Sequence, residues 1–166
     1  KIDGRMLAPR GPYYLEVRRR WHSPSVVKIT LPVKPRLVAS HPYVRDNLSK
    51  ATIRRGPLIY CLESIDNPVD PREIVLARRA TMVARWKRDL LGGVVALELG
   101  AYALDTGVLG PRLYIDLEKY PHARRRIRAL AIPYYAWANR GPSKMVIWVP
   151  VADFFTSGGN RRRTRS

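Results

Sequence analysis

The sequence contains a single cysteine, no glutamine and no long apolar run. A lone cysteine excludes an intrachain disulfide and any metal site built from several cysteines. Cys61 lies in an apolar run of residues, 58–62, where we expect a buried, inert thiol rather than a nucleophile. No stretch reaches the roughly 20 apolar residues of a membrane span, so no membrane partner is predicted. The lack of glutamine beside abundant arginine is typical of heat-adapted proteins.

Acidic residues are also scarce. Only 13 Asp and Glu stand against 31 Lys and Arg, which gives a net charge of +18. Such a charge indicates a nucleic acid or an acidic polysaccharide as a partner. However, the arginines occur in separate short clusters rather than in one stripe, and this distribution is typical of a solvated surface. Nucleic acid is therefore the less favoured partner.

Sequence motifs for catalysis or metal binding are missing. The chain has neither the G-x-S-x-G pattern of serine hydrolases nor a phosphate-binding P-loop. His22, His41 and His122 each lie beside a turn signal, and none has the spacing of metal ligands. We therefore predict no metal site and no cofactor in this chain.

Paired carboxylates are the remaining catalytic option, because glycosidases place two of them on either side of the scissile bond. With so many cations nearby, salt bridges are the expected role of these side chains. The sequence singles out no pair, so no catalytic residue is assigned. The candidates are Glu16, Glu63, Asp66, Asp70, Glu98, Asp116 and Glu118.

Strict alternation of apolar and polar residues is the main pattern that is present, and it predicts strands. Residues 13–21 and 27–31 are predicted to form a hairpin, and residues 74–87 and 112–117 are predicted to be extended. With 46% hydrophobic residues, the chain predicts an all-β fold, an antiparallel, jelly-roll-like β-sandwich. The expected organisation is part of a first sandwich (1–63), a second sandwich (64–152) and a disordered basic tail (153–166).

An aromatic segment at residues 134–142 is the most distinctive local feature. Aromatic rings beside an amide and a guanidinium can stack on a sugar ring and hydrogen-bond its hydroxyls, or stack on nucleic-acid bases. The alternative is that Tyr135 and Trp137 pack in the core while Asn139 builds a turn. The candidate substrate-binding residues are Tyr134, Tyr135, Trp137, Asn139 and Arg140.

Two segments, 55–63 (RGPLIYCLE) and 132–142 (IPYYAWANRGP), resemble signatures near the C-terminus of the β-L-arabinofuranosidase family of glycoside hydrolases, family 127. The resemblance extends from about Arg10 to Val149. It implies an N-terminal (α/α)6 catalytic barrel followed by β-sandwich domains. In the family, the barrel side carries a cysteine nucleophile, a zinc ion held by cysteines and a glutamate, and a second glutamate as acid/base.

None of that chemistry carries over to this chain, since Cys61 does not lie in the nucleophile motif. The resemblance implies a non-catalytic C-terminal β-sandwich portion that supports a barrel absent from this chain. Its expected partner is that barrel or a second copy of the chain, and a carbohydrate ligand is compatible with it. The alternative is a stand-alone basic module that binds nucleic acid or acidic polysaccharide.

Overall fold

The computed structural model describes residues 1–3, 5, 7, 15–120 and 124–155. The chain divides into two compact units, Lys1–Val33 and Lys34–Ser166. No helix within the described ranges is both long enough and apolar enough to span a membrane.

The first unit lacks the predicted hairpin. Between residues 15 and 33 the structure has no strand, and Val27 forms a single bridge with Ile2 instead. Leu15 and Trp21, which the alternation places on one strand face, are about half exposed, at 47% and 52%. The hairpin prediction is therefore wrong where it can be compared, because alternation stabilises a strand only when a partner covers its apolar face. Tyr13 and Tyr14 lie outside the described residues.

The second unit confirms the all-β prediction. Its described residues contain nine strands, a few short 3₁₀ turns and no α-helix. Residues 74–87 are indeed extended, as two strands. The strands are β1 Pro35–Ala39, β2 Lys50–Arg55, β3 Leu58–Glu63, β4 Ile74–Ala77, β5 Met82–Lys87, β6 Val94–Leu104, β7 Arg124–Pro133, β8 Met145–Val146 and β9 Val149–Ala152.

One continuous sheet holds all nine strands. Strands β2, β9, β4, β6, β7 and β3 follow one another by hydrogen bonding, and β3 pairs with β2, so that these six close into a barrel. Strands β1, β5 and β8 attach to its outside. The predicted two-sheet sandwich is not confirmed. Barrels and sandwiches share the same alternation along each strand, so the pattern alone cannot distinguish them.

Large residues lie beside small ones on neighbouring strands of the barrel. On the β6–β7 pair, Leu97 lies opposite Ala131 and Leu99 opposite Ala129. All four are buried in one apolar cluster. Alternating large and small side chains fills the narrow interior of a small barrel without voids.

Strand β3 is buried on both faces, as its lack of alternation predicts. Tyr60 and Leu62 belong to the interior cluster, whereas Cys61 packs with Ile132 and Ala136 in a second, outer cluster. The outer cluster therefore joins β3 and β7 to the turn that follows β7.

Three further sequence predictions concern the loops and the end of the second unit. Residues 112–117 form no strand, and Leu113 and Tyr114 are 90% and 93% exposed. The predicted domain boundary at residues 63 and 64 falls between β3 and β4, which both belong to the closed barrel. Most of the predicted tail, residues 156–166, lies outside the described residues.

Candidate functional site

The aromatic segment begins where β7 ends. Tyr134–Ala136 forms a 3₁₀ turn directly after Pro133, and the Trp137 amide donates to the Tyr134 carbonyl at 3.3 Å. Ala136 is 4% exposed and packs into the outer cluster. Ala136 therefore anchors one side of the turn in the outer cluster, while the aromatic side chains lie on the other side.

Three aromatic rings are exposed on this turn. Tyr134 and Trp137 stack with ring centroids 6.4 Å apart and an interplanar angle of 10°. Their residues are 42% and 37% exposed, and Tyr135 is 66% exposed. The alternative that placed Tyr135 and Trp137 in the core is wrong, since the outer cluster is filled by smaller and aliphatic side chains. We call Tyr134, Tyr135 and Trp137 the aromatic surface.

Asn139 serves the turn itself. Its side-chain amide donates to the Ala136 and Trp137 carbonyls, at 3.1 Å each. The preceding residue, Ala138, has φ of +58°, a left-handed conformation that costs a non-glycine residue energy. The Asn139 contacts offset this strain and hold the rings in place, so its amide is already committed to backbone partners.

Arg140 is also engaged within the protein. Its Nη1 donates to Asp66 Oδ1 at 2.6 Å, and its Nη2 donates to Asp66 Oδ2 and to Glu63 Oε2. The side chain retains 21% exposure. Of the five predicted site residues, three form an open surface and two, Asn139 and Arg140, hold it in position.

Glu63 is the centre of this network. It is 2% exposed, and its Oε1 accepts hydrogen bonds from the Ala138 amide at 2.9 Å and the Ser143 hydroxyl at 2.8 Å. Burial alone would raise the pKa of Glu63, but the bonds from Ala138, Ser143 and Arg140 together hold that pKa below its ordinary value. The bonds to Asp66 and Glu63 raise the pKa of Arg140. A buried ion pair thus ties β3 to the aromatic turn.

The pKa and the burial of Glu63 are the opposite of what a glycosidase general acid needs. A general acid at that kind of site needs a raised pKa and access to the substrate oxygen. Glu63 has a lowered pKa and is almost fully buried, and both it and Asp66 are bound to Arg140. The two carboxylates therefore fit a structural role.

Asn67 is a structural residue that sequence reasoning missed. Its amide nitrogen donates to the Glu63 and Leu130 carbonyls, at 2.7 and 3.0 Å, and its side-chain oxygen accepts from the Leu130 amide at 2.9 Å. The side chain thereby pairs with β7 as a strand residue would. The Asp and Pro residues around it are typical of a loop, and no local sequence signal marks a contact with Leu130, 63 residues away.

A zinc site does not fit the residues described here. The Cys61 thiol lies in the apolar outer cluster, and a structural zinc ion needs four ligands around it. Within the described ranges, no three His, Cys, Asp or Glu side chains lie close enough to hold a metal ion. No step through a metal is therefore assigned to these residues.

A cleft of about 460 Å³ opens where β4 and β7 begin and β6 ends. Charged groups of both signs line it, and the Thr106 hydroxyl donates to Glu73 Oε1 across it at 2.7 Å. Its size is within the range of small-ligand sites. The polar side chains that line it are Glu73, Asp105, Thr106, Arg124 and Arg125.

Comparison with known proteins identifies the chain. A family model described as the glycoside hydrolase family 127 C-terminal domain matches residues 35–150, which is most of the second unit. The all-β barrel with its aromatic turn thus corresponds to a glycoside hydrolase C-terminal domain. More particularly, the chain belongs to glycoside hydrolase family 127.

Individual relatives agree with this assignment. The chain is 31% identical over 125 residues to a non-reducing end β-L-arabinofuranosidase of Bifidobacterium longum, covering 74% of this chain and 19% of that protein. It resembles the crystal structure of a family 127 β-L-arabinofuranosidase from Geobacillus stearothermophilus T6, with 37% identity and a TM-score of 0.65 over 72% of this chain and 18% of that one. A second family 127 β-arabinofuranosidase structure matches with 29% identity and a TM-score of 0.60, over 72% of this chain and 17% of that one.

The matched region is a small part of each relative. The chain spans about a fifth of the length of the curated relative and of the solved structures. The activities of those whole proteins are therefore theirs, and any such activity is only proposed for this chain.

Proposed function

We propose that this chain is a non-catalytic C-terminal portion of a β-arabinofuranosidase-like protein, and that it supports a catalytic barrel carried outside these residues. The family match to a C-terminal domain supports this proposal, as do the two β-arabinofuranosidase structures that the chain resembles over less than a fifth of their length. The substrate class of the whole protein would then be an arabinofuranoside.

The aromatic surface is the observation that carries the proposal. Three large rings stand exposed beside one another on a turn, and a buried ion pair fixes that turn to the barrel wall. Tyrosine and tryptophan are enriched at protein interfaces, because they bury much area and lose little conformational freedom on docking. A rigid aromatic patch of this kind fits a contact with another domain. Direct substrate contact by the same rings remains a prediction.

A domain exchange tests the supporting role. Residues 35–150 replace the matching segment of the Geobacillus enzyme, and the chimera is assayed on a p-nitrophenyl arabinofuranoside. We expect the chimera to turn over this substrate and the 166-residue chain alone to show no turnover, with or without zinc. Turnover by the chain alone would refute the proposal.

The contact itself is tested with two matched tyrosines. Tyr135 is 66% exposed on the aromatic surface, and Tyr43 is 89% exposed elsewhere. In the chimera, Tyr135→Ser should lower the melting temperature by about 3 °C or more, because it removes an apolar contact between domains. Tyr43→Ser should leave it nearly unchanged, and neither substitution should alter the melting of the chain alone. Equal effects of the two substitutions in the chimera would contradict a contact at the aromatic surface.

A further inference from the structure

Three arginines form a row along the outer face of β7. In the register of β6 and β7, Arg124 lies opposite Leu104, Arg126 opposite Tyr102, and Arg128 opposite Gly100. Ile127 and Ala129, which alternate with Arg126 and Arg128 along the strand, belong to the barrel interior. The alternation of a strand therefore turns all three arginines outward, where each is exposed. We call Arg124, Arg126 and Arg128 the arginine row.

The row forms no direct ion pair with any described residue. Among the described residues, no carboxylate lies within ion-pair distance of any of the three guanidinium groups. Glu98, an acidic residue on the same face of β6, pairs with Lys87 at 3.2 Å and Arg85 at 3.7 Å, and Arg128 attracts it more weakly from beyond ion-pair distance. Like charges on one strand face repel one another, so the row costs stability that no ion pair within the described part of the chain offsets.

The spacing of the row suits a linear chain of negative charges. Alternate Cα atoms on a strand are about 6.7 Å apart, so the three arginine side chains leave the strand at regular intervals along a nearly straight line. Guanidinium groups bind carboxylates and sulfates through two parallel hydrogen bonds, which gives each position a strong anion contact.

The neighbouring aromatic residue distinguishes between two classes of polyanion. The Arg124 guanidinium lies over the Tyr102 ring, 5.0 Å from its centroid. Single-stranded nucleic acids are held by bases stacking on open aromatic faces, and this face is covered. The row therefore offers charge and hydrogen bonds without an open stacking platform.

We propose that the arginine row binds an acidic polysaccharide, through carboxylate or sulfate groups repeated along the glycan. This goes beyond the supporting role proposed above, because it gives the domain a ligand of its own on a surface separate from the aromatic turn. Binding is electrostatic and weakens as salt rises.

The test measures binding of the 166-residue chain to polygalacturonate at low salt, with neutral dextran and poly(U) as comparison ligands. One variant replaces Arg124, Arg126 and Arg128 with glutamine. Its matched control replaces three exposed arginines of other segments, Arg20, Arg45 and Arg79, with glutamine. Circular dichroism verifies that both variants are folded, and a third variant replaces the row with lysine.

We expect the wild-type chain to bind polygalacturonate and not dextran. The row variant should bind about tenfold more weakly and with a shallower salt dependence, whereas the control should change less than about threefold. The lysine variant should bind with an affinity between those of the wild type and the glutamine variant, because lysine keeps the charge but cannot form the two parallel hydrogen bonds.

Three results would overturn the proposal. The first is equal weakening in the row variant and its control, which would assign binding to net charge alone. The second is tighter binding of poly(U) than of polygalacturonate, which would assign the face to nucleic acid. The third is no binding of polygalacturonate at low salt.

Discussion

Arg140 and Asp66 form a bidentate ion pair, in which Nη1 donates to Oδ1 at 2.6 Å and Nη2 donates to Oδ2 at 2.5 Å. The same Nη2 reaches Glu63 at the end of β3 at 2.7 Å. One guanidinium thus joins a strand, the turn after it and an aromatic turn more than 70 residues later in the chain. The position of the aromatic surface depends on this joint.

Replacing Arg140 should therefore be costly. Arg140→Met keeps the apolar stem but leaves the carboxylates of Glu63 and Asp66 without their cation, so the free energy of unfolding should fall by about 3 kcal/mol. Arg72→Met is the control, because Arg72 pairs with Asp70 while 68% of its side chain is exposed. It should cost far less, because an ion pair in water contributes little to stability. Urea unfolding measures the free energy of unfolding of both variants. Similar decreases in the two would show that the buried ion pair stabilises the chain no more than the exposed one.

Stability should fall in acid through Glu63. Its folded pKa lies below the ordinary value of 4.5, so on acidification the unfolded chain takes up this proton first. The Glu63 contribution is present above that value and is lost as the pH falls through the folded pKa. Urea unfolding from neutral pH to about pH 3 should show a smaller decline in Glu63→Gln than in wild type. Glu118→Gln, at an exposed site, should decline as wild type does.

The Cys61 thiol should resist alkylation in the folded chain. It is 1% exposed and burial raises its pKa to about 12, so both access and thiolate are lacking near pH 8. We expect iodoacetamide labelling, followed by mass spectrometry, to be slow in buffer and complete in concentrated urea. Fast labelling of the folded chain would contradict the burial of β3 on both faces.

Two adjacent glycines allow a matched comparison in the loop before β6. Both have positive φ, +73° for Gly92 and +107° for Gly93, but a Cβ at Gly93 would approach the Trp86 ring to 2.6 Å while one at Gly92 meets nothing within 4 Å. Gly93→Ala should thus destabilise the chain by about 1 kcal/mol more than Gly92→Ala. Adding Trp86→Ala should remove most of that difference in urea unfolding. If the difference persists, strain in the backbone and not the ring is its cause.

The sequence predicts the strands of the second unit better than those of the first. Segments such as 58–63 and 74–87 have neighbours that cover them, so their apolar residues lie where the pattern expects. Residues 27–31 and 112–117 alternate equally well, yet Ile29 and Leu113 are 77% and 90% exposed. Period alone does not show whether a strand will find a partner.

The candidate site is predicted in its residues but not in their roles. The segment 134–142 is recognisable from its composition, and the sequence correctly indicates a turn at Asn139. That Arg140 serves as an anchor follows from Glu63 and Asp66, which lie more than 70 residues away. Likewise, the register that closes β3 against β2 decides between barrel and sandwich, and it is a long-range property of the sheet.

The ninth strand has a consequence for how the domain is made. Val149 pairs with Ala51, and Val151 runs parallel to Leu76, so β9 fills the gap between β2 and β4. Until β9 emerges from the ribosome, one edge of β4 has no strand partner and the barrel stays open. Such an edge is a template for intermolecular strand pairing, so a nascent chain remains prone to aggregate until its ninth strand emerges.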